Sequence, residues 1–156
     1  MNYTDIKPIT MFSGEHRWLS NFYVVPGGVT YYGMTAPTTE HLFAAVKTID
    51  PAQRAAILSA DSPGKAKRIG RKVDLRPDWE DIKIGVMREI LYSKFANNTE
   101  LRQKLIDTGE RALIEGNTWG DTFWGVDTRT GIGQNHLGQL LEEIRTELRI
   151  INEIGY

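Results

Sequence analysis

The chain has 156 residues, 40% hydrophobic and 25% charged, with a formal net charge of −1. That is the size and make-up of an ordinary globular domain, large enough to bury a core without cross-links. The near-zero charge argues against a strongly basic nucleic-acid binder, although a local basic patch is compatible with it. With no cysteine in the chain, disulfides, thiolate metal sites and cysteine nucleophiles are excluded.

Met1 to Pro8 lacks the apolar core of a signal peptide. No segment nears the ~20 apolar residues of a membrane span. A cytoplasmic location without a membrane partner is therefore expected. Ile9 to Ser13 reads as a short strand, Gly27-Gly28 as a turn, and Val29 to Tyr32 as a second strand rich in β-branched and aromatic residues. A helix from about Thr39 to Ile49 follows. Thr38 or Thr39 caps it, and Leu42, Phe43, Ala45, Val46 and Ile49 recur at helical spacing. Asp50-Pro51-Ala52-Gln53 opens a second helix and Ser62-Pro63 a third, basic one that Gly70 ends. Asp78 is placed to cap a longer helix from Trp79 to about Phe95, with Ile82, Val86, Ile90 and Leu91 on one face. Thr99 is placed to cap the next, which Gly109 stops. Ala112 to Glu115 reads as a short strand, and Gly116 to Gly133 shows no clear period. His136 to Ile151 is the strongest amphipathic helix. The expected fold is a single α+β domain over residues 1–156, mostly helical, with about six helices and a few short strands.

Four segments carry candidate chemistry. The first is Pro37-Thr38-Thr39-Glu40-His41-Leu42, which sets a carboxylate and an imidazole in the first turn of a helix. An acid there also fits a plain interaction with the helix dipole. The second is the loop Trp119 to Asp127, where Trp119, Phe123 and Trp124 stand beside Asp121 and Asp127. It is long enough to be functional. An aromatic face beside a carboxylate suits a flat base next to a reacting sugar, and the simpler alternative is that the rings fill core. The third is Gly131 to Gly138, where glycines and Asn135 precede a helix N-terminus and could receive a phosphate; the plain alternative is a turn capped by Asn135. The fourth is the run Lys65, Lys67, Arg68, Arg71, Lys72 and Arg76 with Trp79 beyond it, which serves either as a phosphate site or as a solvated face. Asn21, in Arg17-Trp18-Leu19-Ser20-Asn21-Phe22, carries an amide able to read a ring edge or a ribose hydroxyl. His16, His41 and His136 are scattered without metal-ligand spacing, so no metal is expected.

Taken together and in order, these segments resemble the NADAR (YbiA-like) family from about Phe12 to Arg149. The resemblance is carried by Leu19-Ser20-Asn21-Phe22, Thr39-Glu40-His41 with Lys47, Arg76-Pro77-Asp78-Trp79 with Lys83 and Met87, and Lys94-Phe95-Ala96-Asn97. Asp121-Thr122-Phe123-Trp124-Gly125 and Gly133-Gln134-Asn135-His136 complete it. After Glu40-His41 the chain departs from the family pattern: Leu42, Ala44 and Val46 stand where relatives carry an aromatic residue and glutamines.

The resemblance implies a YbiA-like fold and hydrolysis of an N-glycosidic bond at ribose C1, without a cofactor. It implies a nucleotide-like small-molecule substrate, a ribosylamino-pyrimidine phosphate of riboflavin synthesis, or ADP-ribose attached to a base, including ADP-ribosylated guanine in nucleic acid. Reversal of ADP-ribosylation would be the outcome in the last case. On this reading Glu40 serves the ribose, by stabilising the cation or activating water, and Asp121 is the second acid/base. Phe12 or Trp124 stacks on the base, while Lys47, Arg71 and the turn before Asn135 hold phosphate. Asn21, Phe22, His41, Trp79 and Asn135 complete the binding set. The alternative is a binding module for NAD or ADP-ribose that performs no chemistry. Oligomeric state is left open.

Overall fold

The computed structural model describes residues 6–155; residues 1–5 of the expected polar N-terminus and Tyr156 lie outside them. Six α-helices and four short strands are found among the described residues, so the chain is a mostly helical α+β protein. The described residues group into two compact units, a mid-chain unit of residues 21–94 and a terminal unit formed by the chain on either side of it.

The mid-chain unit begins with a hairpin. Strand β1 (Val29–Tyr31) pairs antiparallel with β2 (Met34–Ala36), Tyr31 facing Met34 across a two-residue turn. The expected strand thus stops one residue short of Tyr32, and its partner is too short to show a period in sequence. Helix α1 (Thr39–Val46) follows, and every one of its residues is buried. Thr38, not Thr39, is its cap: Thr38 Oγ1 accepts from the backbone N–H of His41 at 3.2 Å. The helix ends before Ile49, which is 68% exposed rather than on the apolar face. The reason lies in the next cap. Asp50 accepts from the Gln53 N–H at 3.0 Å, and Pro51 sits at the first position of helix α2 (Pro51–Leu58). A residue before proline is held extended, so α1 cannot run on into α2.

Helix α3 (Pro63–Gly70) is capped by Ser62, whose hydroxyl accepts from the Lys65 N–H at 3.1 Å. Ala44, Ala45, Ile57, Ala60 and Ala66 form the small-residue core of α1–α3. Small side chains let the helices come close, and closest at Gly70, where an added Cβ would stand 2.9 Å from the Cβ of Ala44. Helix α4 (Trp79–Ala96) buries Val86, Ile90 and Leu91 of the expected face, while Ile82 is half-buried. Just before it, Arg76 Nε donates to Asp78 Oδ1 at 2.7 Å, and this bond holds the Asp78 carboxyl below the usual carboxylate range.

In the terminal unit, a 3-10 segment over Gly14–Leu19 buries Trp18 and Leu19, with Trp18 edge-on to Phe95. Helix α5 (Thr99–Asp107) is capped by Asn98, whose Oδ1 accepts from the Leu101 N–H at 3.0 Å, and not by Thr99, which has already entered the helix. The two expected strands at Ile9–Ser13 and Ala112–Glu115 reduce to a single parallel bridge between Ile9 and Leu113. A longer ladder is prevented because the chain turns at Gly14 (φ 57°) into the 3-10 segment. Strands β3 (Gly116–Asn117) and β4 (Val126–Asp127) pair in parallel, and helix α6 (His136–Glu153) buries Leu137, Leu140, Leu141, Ile144 and Leu148. Each such burial is worth about 1.5–3 kcal/mol. Among the described residues, no helix is long and apolar enough to cross a membrane.

The contact at Gly70 is testable. Gly70→Ala overpacks the α1–α3 contact and lowers unfolding free energy by about 1–3 kcal/mol. Adding Ala44→Gly returns part of that loss, as urea denaturation of the single and double variants would show.

Candidate active site

Within the mid-chain unit, α1 presents Glu40, Phe43 and Lys47 at spacings of three and four, which is one helical face. Glu40 lies in the first turn, where the free N–H groups favour a carboxylate. It is only 8% exposed. Its backbone N–H donates to the Asn21 carbonyl at 3.1 Å, which ties the start of α1 to the segment carrying Asn21 and Phe22. Two buried oxygens of this region, Asn21 Oδ1 and Thr39 Oγ1, have no hydrogen-bond partner among the described residues. The Asn21 amide nitrogen donates to Met87 Sδ at 3.6 Å.

Lys47 closes α1. Its Nζ lies 5.9 Å from the centroid of the Phe43 ring. Burial lowers its pKa most; the Glu40 carboxylate pushes it back up, and the positive charges of Lys67, Arg71 and Lys83 lower it further. One carboxylate and three further cations therefore lie within electrostatic reach of Lys47, and of these Lys83 is paired with Glu80 at 2.7 Å. Lys67 Nζ also sits 5.7 Å from the ring centroid of Phe22, which is 42% exposed. Arg71 faces outward as well, lining a cavity of about 420 Å3 with Lys65, Arg68 and Lys72. An anion would relieve the crowding of positive charge around Lys47.

Two residues expected to bind substrate do other work here. His41 is 1% exposed, with Nδ1 2.7 Å from Thr38 Oγ1 and Nε2 2.9 Å from the Ala60 carbonyl. Both ring nitrogens are engaged, so His41 locks α1 to the end of α2 and offers nothing to a ligand. Trp79 is 5% exposed and packs on Phe43 with ring centroids 4.9 Å apart. It supports the ring below Lys47 and presents no open face.

Sequence reading gave Phe43 and Lys83 no role in this cluster, while Lys67 stood in the basic run offered as a phosphate site. The signal was present in two spacings: Glu40, Phe43 and Lys47 on α1, and Trp79, Lys83 and Met87 at intervals of four on α4.

The other expected residues fall in the terminal unit. Phe12 is buried, 7% exposed. Asp121 Oδ1 accepts from the backbone N–H groups of Phe123 and Trp124, at 3.1 and 3.0 Å. Phe123 meets Trp124 and His136 at centroid distances of 4.8 and 4.5 Å. Asn117, missed in sequence, is fully buried; its amide donates to the Asp121 carbonyl at 2.8 Å and accepts the Asp121 N–H at 2.9 Å. The apparent irregularity of this loop is thus a set of side-chain-to-backbone bonds.

Asn135 stands at the N-cap position of α6, but its side chain makes no capping bond. Its backbone is left-handed (φ 51°), while its side chain accepts from the Glu115 N–H and donates to the Leu113 carbonyl. Gly138 makes room for this, since a Cβ there would collide with the Leu113 carbonyl and the Asn135 amide. The expected phosphate turn is also filled. The N–H groups of Gln134, Asn135, His136 and Leu137 donate to the carbonyls of Thr122, Gly125, Phe123 and Trp124. Those four donors are thus spent on the loop rather than held for an anion. Among the described residues, no group of three or more His, Asp or Glu side chains is arranged to hold a metal ion.

The chain belongs to the NADAR family: the NADAR domain model matches residues 11–149. It is 41% identical over 140 residues to N-glycosidase YbiA of Escherichia coli (strain K12), an alignment covering 88% of this chain and 85% of that protein. It is 38% identical over 147 residues to a riboflavin biosynthesis protein of Vibrio vulnificus, covering 92% of this chain and 39% of that longer protein. The NMR structure of E. coli YbiA is similar with a TM-score of 0.83 at 37% identity, over 97% of this chain and 88% of that one. The fold is therefore YbiA-like, as the resemblance in sequence implied.

Two measurements follow from this geometry. Because the Lys47 pKa is lowered in the fold, the unfolded chain binds more protons between that lowered value and the ordinary lysine range. This group therefore makes stability rise with pH across that window. Wild type should gain stability relative to Lys47→Gln as pH climbs through it, in urea denaturation repeated along the pH scale. In the loop, Asp121→Asn keeps the acceptor for two amides and should leave the melting temperature unchanged. Asp121→Ala removes the acceptor and should lower stability by about 1–3 kcal/mol.

Proposed function

We propose that this chain hydrolyses the ribose C1–N bond of a phosphorylated riboside, with Glu40 as the carboxylate that serves the ribose. The reaction class, N-glycosidase, rests on the curated relatives. The observation that carries the assignment of roles is the buried Glu40 carboxylate on the same face of α1 as Lys47, with Lys67 and Arg71 of the α3 region and Lys83 of α4 within electrostatic reach of that lysine.

The chemistry follows from those groups. As the C1–N bond breaks, its electron pair leaves with the nitrogen and positive charge develops on C1 and the ring oxygen. The Glu40 carboxylate stabilises that charge and takes a proton from the water that adds to C1; that proton is passed on to the departing nitrogen through solvent, so that water is added across the bond and Glu40 ends as a carboxylate. Buried in the first turn of α1, Glu40 acts where water screens little. Asn21 Oδ1 and Thr39 Oγ1 are buried acceptors beside it, suited to ribose hydroxyls or to the attacking water. Lys47, Lys67, Arg71 and Lys83 bind the phosphate groups through charge-assisted hydrogen bonds. Phe22, half-exposed under Lys67, offers a ring for the base to stack on.

Two substrate classes fit this description. One is a ribosylamino-pyrimidine phosphate, favoured by the kinship with a riboflavin biosynthesis protein. The other is ADP-ribose attached to guanine in nucleic acid, favoured by the number of cations, since a diphosphate carries the larger charge. Incubating the protein with each and following release of the base by chromatography separates them. Glu40→Gln keeps the size of the side chain and removes the charge. It should cut the rate by about 100-fold or more. A loss under about tenfold would remove Glu40 from the chemistry. Tight binding with no base released from either substrate would instead make the chain a binding module.

A further inference from the structure

The tip of the β1–β2 hairpin departs from the usual chemistry of such turns. It is made by Tyr32 and Gly33, both with positive φ, 44° and 78°. A two-residue turn of this kind calls for Asn, Asp or Gly, and a bulky side chain is disfavoured at the left-handed position. Packing does not account for the tyrosine. Its ring meets Tyr31 edge-on at 4.7 Å, yet the residue is 84% exposed. Strained aromatic residues held in the open are a mark of function rather than of folding.

Tyr32 stands at the edge of a cavity of about 520 Å3, a size typical of small-ligand sites. None of Glu40, Phe43, Lys47, Lys67 or Arg71 lines it. Its apolar wall includes Val46, Ile82 and Val86. Gly85 keeps the α4 surface flat there, with no atom within 4 Å of where a Cβ would be. Its polar groups are two arginines, Arg54 and Arg76, and two acids, Asp81 and Glu89. Several are preset: Arg54 Nε donates to the Thr48 carbonyl at 2.6 Å, the Arg76 guanidinium is bonded to Asp78, and Tyr31 Oη donates to Glu89 Oε2 at 2.6 Å.

The balance of charge selects the ligand. Two cations and two anions cancel, so a free phosphate gains little over water. A purely apolar chain would bury part of four charged groups without replacing their hydrogen bonds. A flat ring with both donors and acceptors on its edge meets the apolar wall, the Tyr32 face and the polar rim together.

We propose that this cavity is a second binding site, separate from the Glu40–Lys47 face, that takes a nucleobase or nucleoside stacked on Tyr32 above the flat surface of α4 at Gly85. It requires no phosphate and no chemistry.

The test is to titrate the full chain with adenosine, guanosine, cytidine and uridine while following backbone amide shifts by NMR. Saturable shifts centred on Tyr32, Gly33 and Gly85 are expected for at least one of them. Gly85→Leu fills the flat surface and should abolish those shifts, with its melting temperature confirming that it folds. Tyr32→Gly should raise the melting temperature by relieving the turn, and should weaken binding at least about fivefold by removing the stacking partner. Glu40→Gln should bind the nucleoside as wild type does, so this result stands apart from the fate of the glycosidase reading. The proposal is overturned if no nucleoside gives saturable shifts, or if the shifts centre on Phe22 and Lys47. It is equally overturned if Tyr32→Gly lowers the melting temperature and leaves affinity intact.

Discussion

The first turn of α1 is the constraint on which the mid-chain unit depends. Thr38 Oγ1 accepts the His41 N–H, and the His41 ring bridges Thr38 and the Ala60 carbonyl. These bonds satisfy polar groups that burial would otherwise penalise, and they fix both the start and the rotation of the helix. Glu40, between Thr38 and His41, has no separate freedom of placement. Phe43 and Lys47 follow on the same face one and two turns later. A cap that looks like routine helix chemistry thus aims the carboxylate and everything aligned with it.

Charge is distributed unevenly on this frame. The net charge of −1 conceals a local concentration of cations around Lys47. In the fold those cations repel one another, and burial makes the Lys47 ammonium costlier still. Glu40 offsets part of that cost. A phosphate group would offset much more, because it neutralises several cations at once. The same tension that lowers the Lys47 pKa is therefore the source of affinity for an anion. Trp79 packs against Phe43, and that ring stands 5.9 Å from the Lys47 ammonium.

In the terminal unit a different economy operates. Asn117 and Asp121 spend their side chains on backbone groups of the loop between β3 and α6, and Asn135 spends its own on Leu113 and Glu115 just before β3. Regular ladders are only two residues long there, so side chains supply the hydrogen bonds that strands would supply elsewhere. The loop also takes up the His136 and Leu137 N–H groups at the N-terminus of α6. A glycine-rich approach to a helix therefore served here to admit backbone carbonyls rather than an anion.

The sequence by itself determined the helices, the caps of α1, α2, α3 and α5 being legible or off by one residue, because capping and 3.6-residue spacing are local physics. The family was legible for a related reason: its segments keep their order and spacing along the chain. Glu40 and Lys47 could be named because they lie on one helix. Only the tertiary structure decided which candidates face a ligand. The burial of His41 and Trp79, the capture of the Asn135 amide by Leu113 and Glu115, and the convergence of Lys67, Arg71 and Lys83 on Lys47 all depend on neighbours far away in sequence. The hairpin shows the same limit. Tyr32-Gly33 could be read as a turn, but the exposure of its ring beside an apolar wall from α4 arises only when segments some fifty residues apart meet. A residue's type states what it can donate, accept or stack on; which of those capacities is already consumed is set by the fold around it.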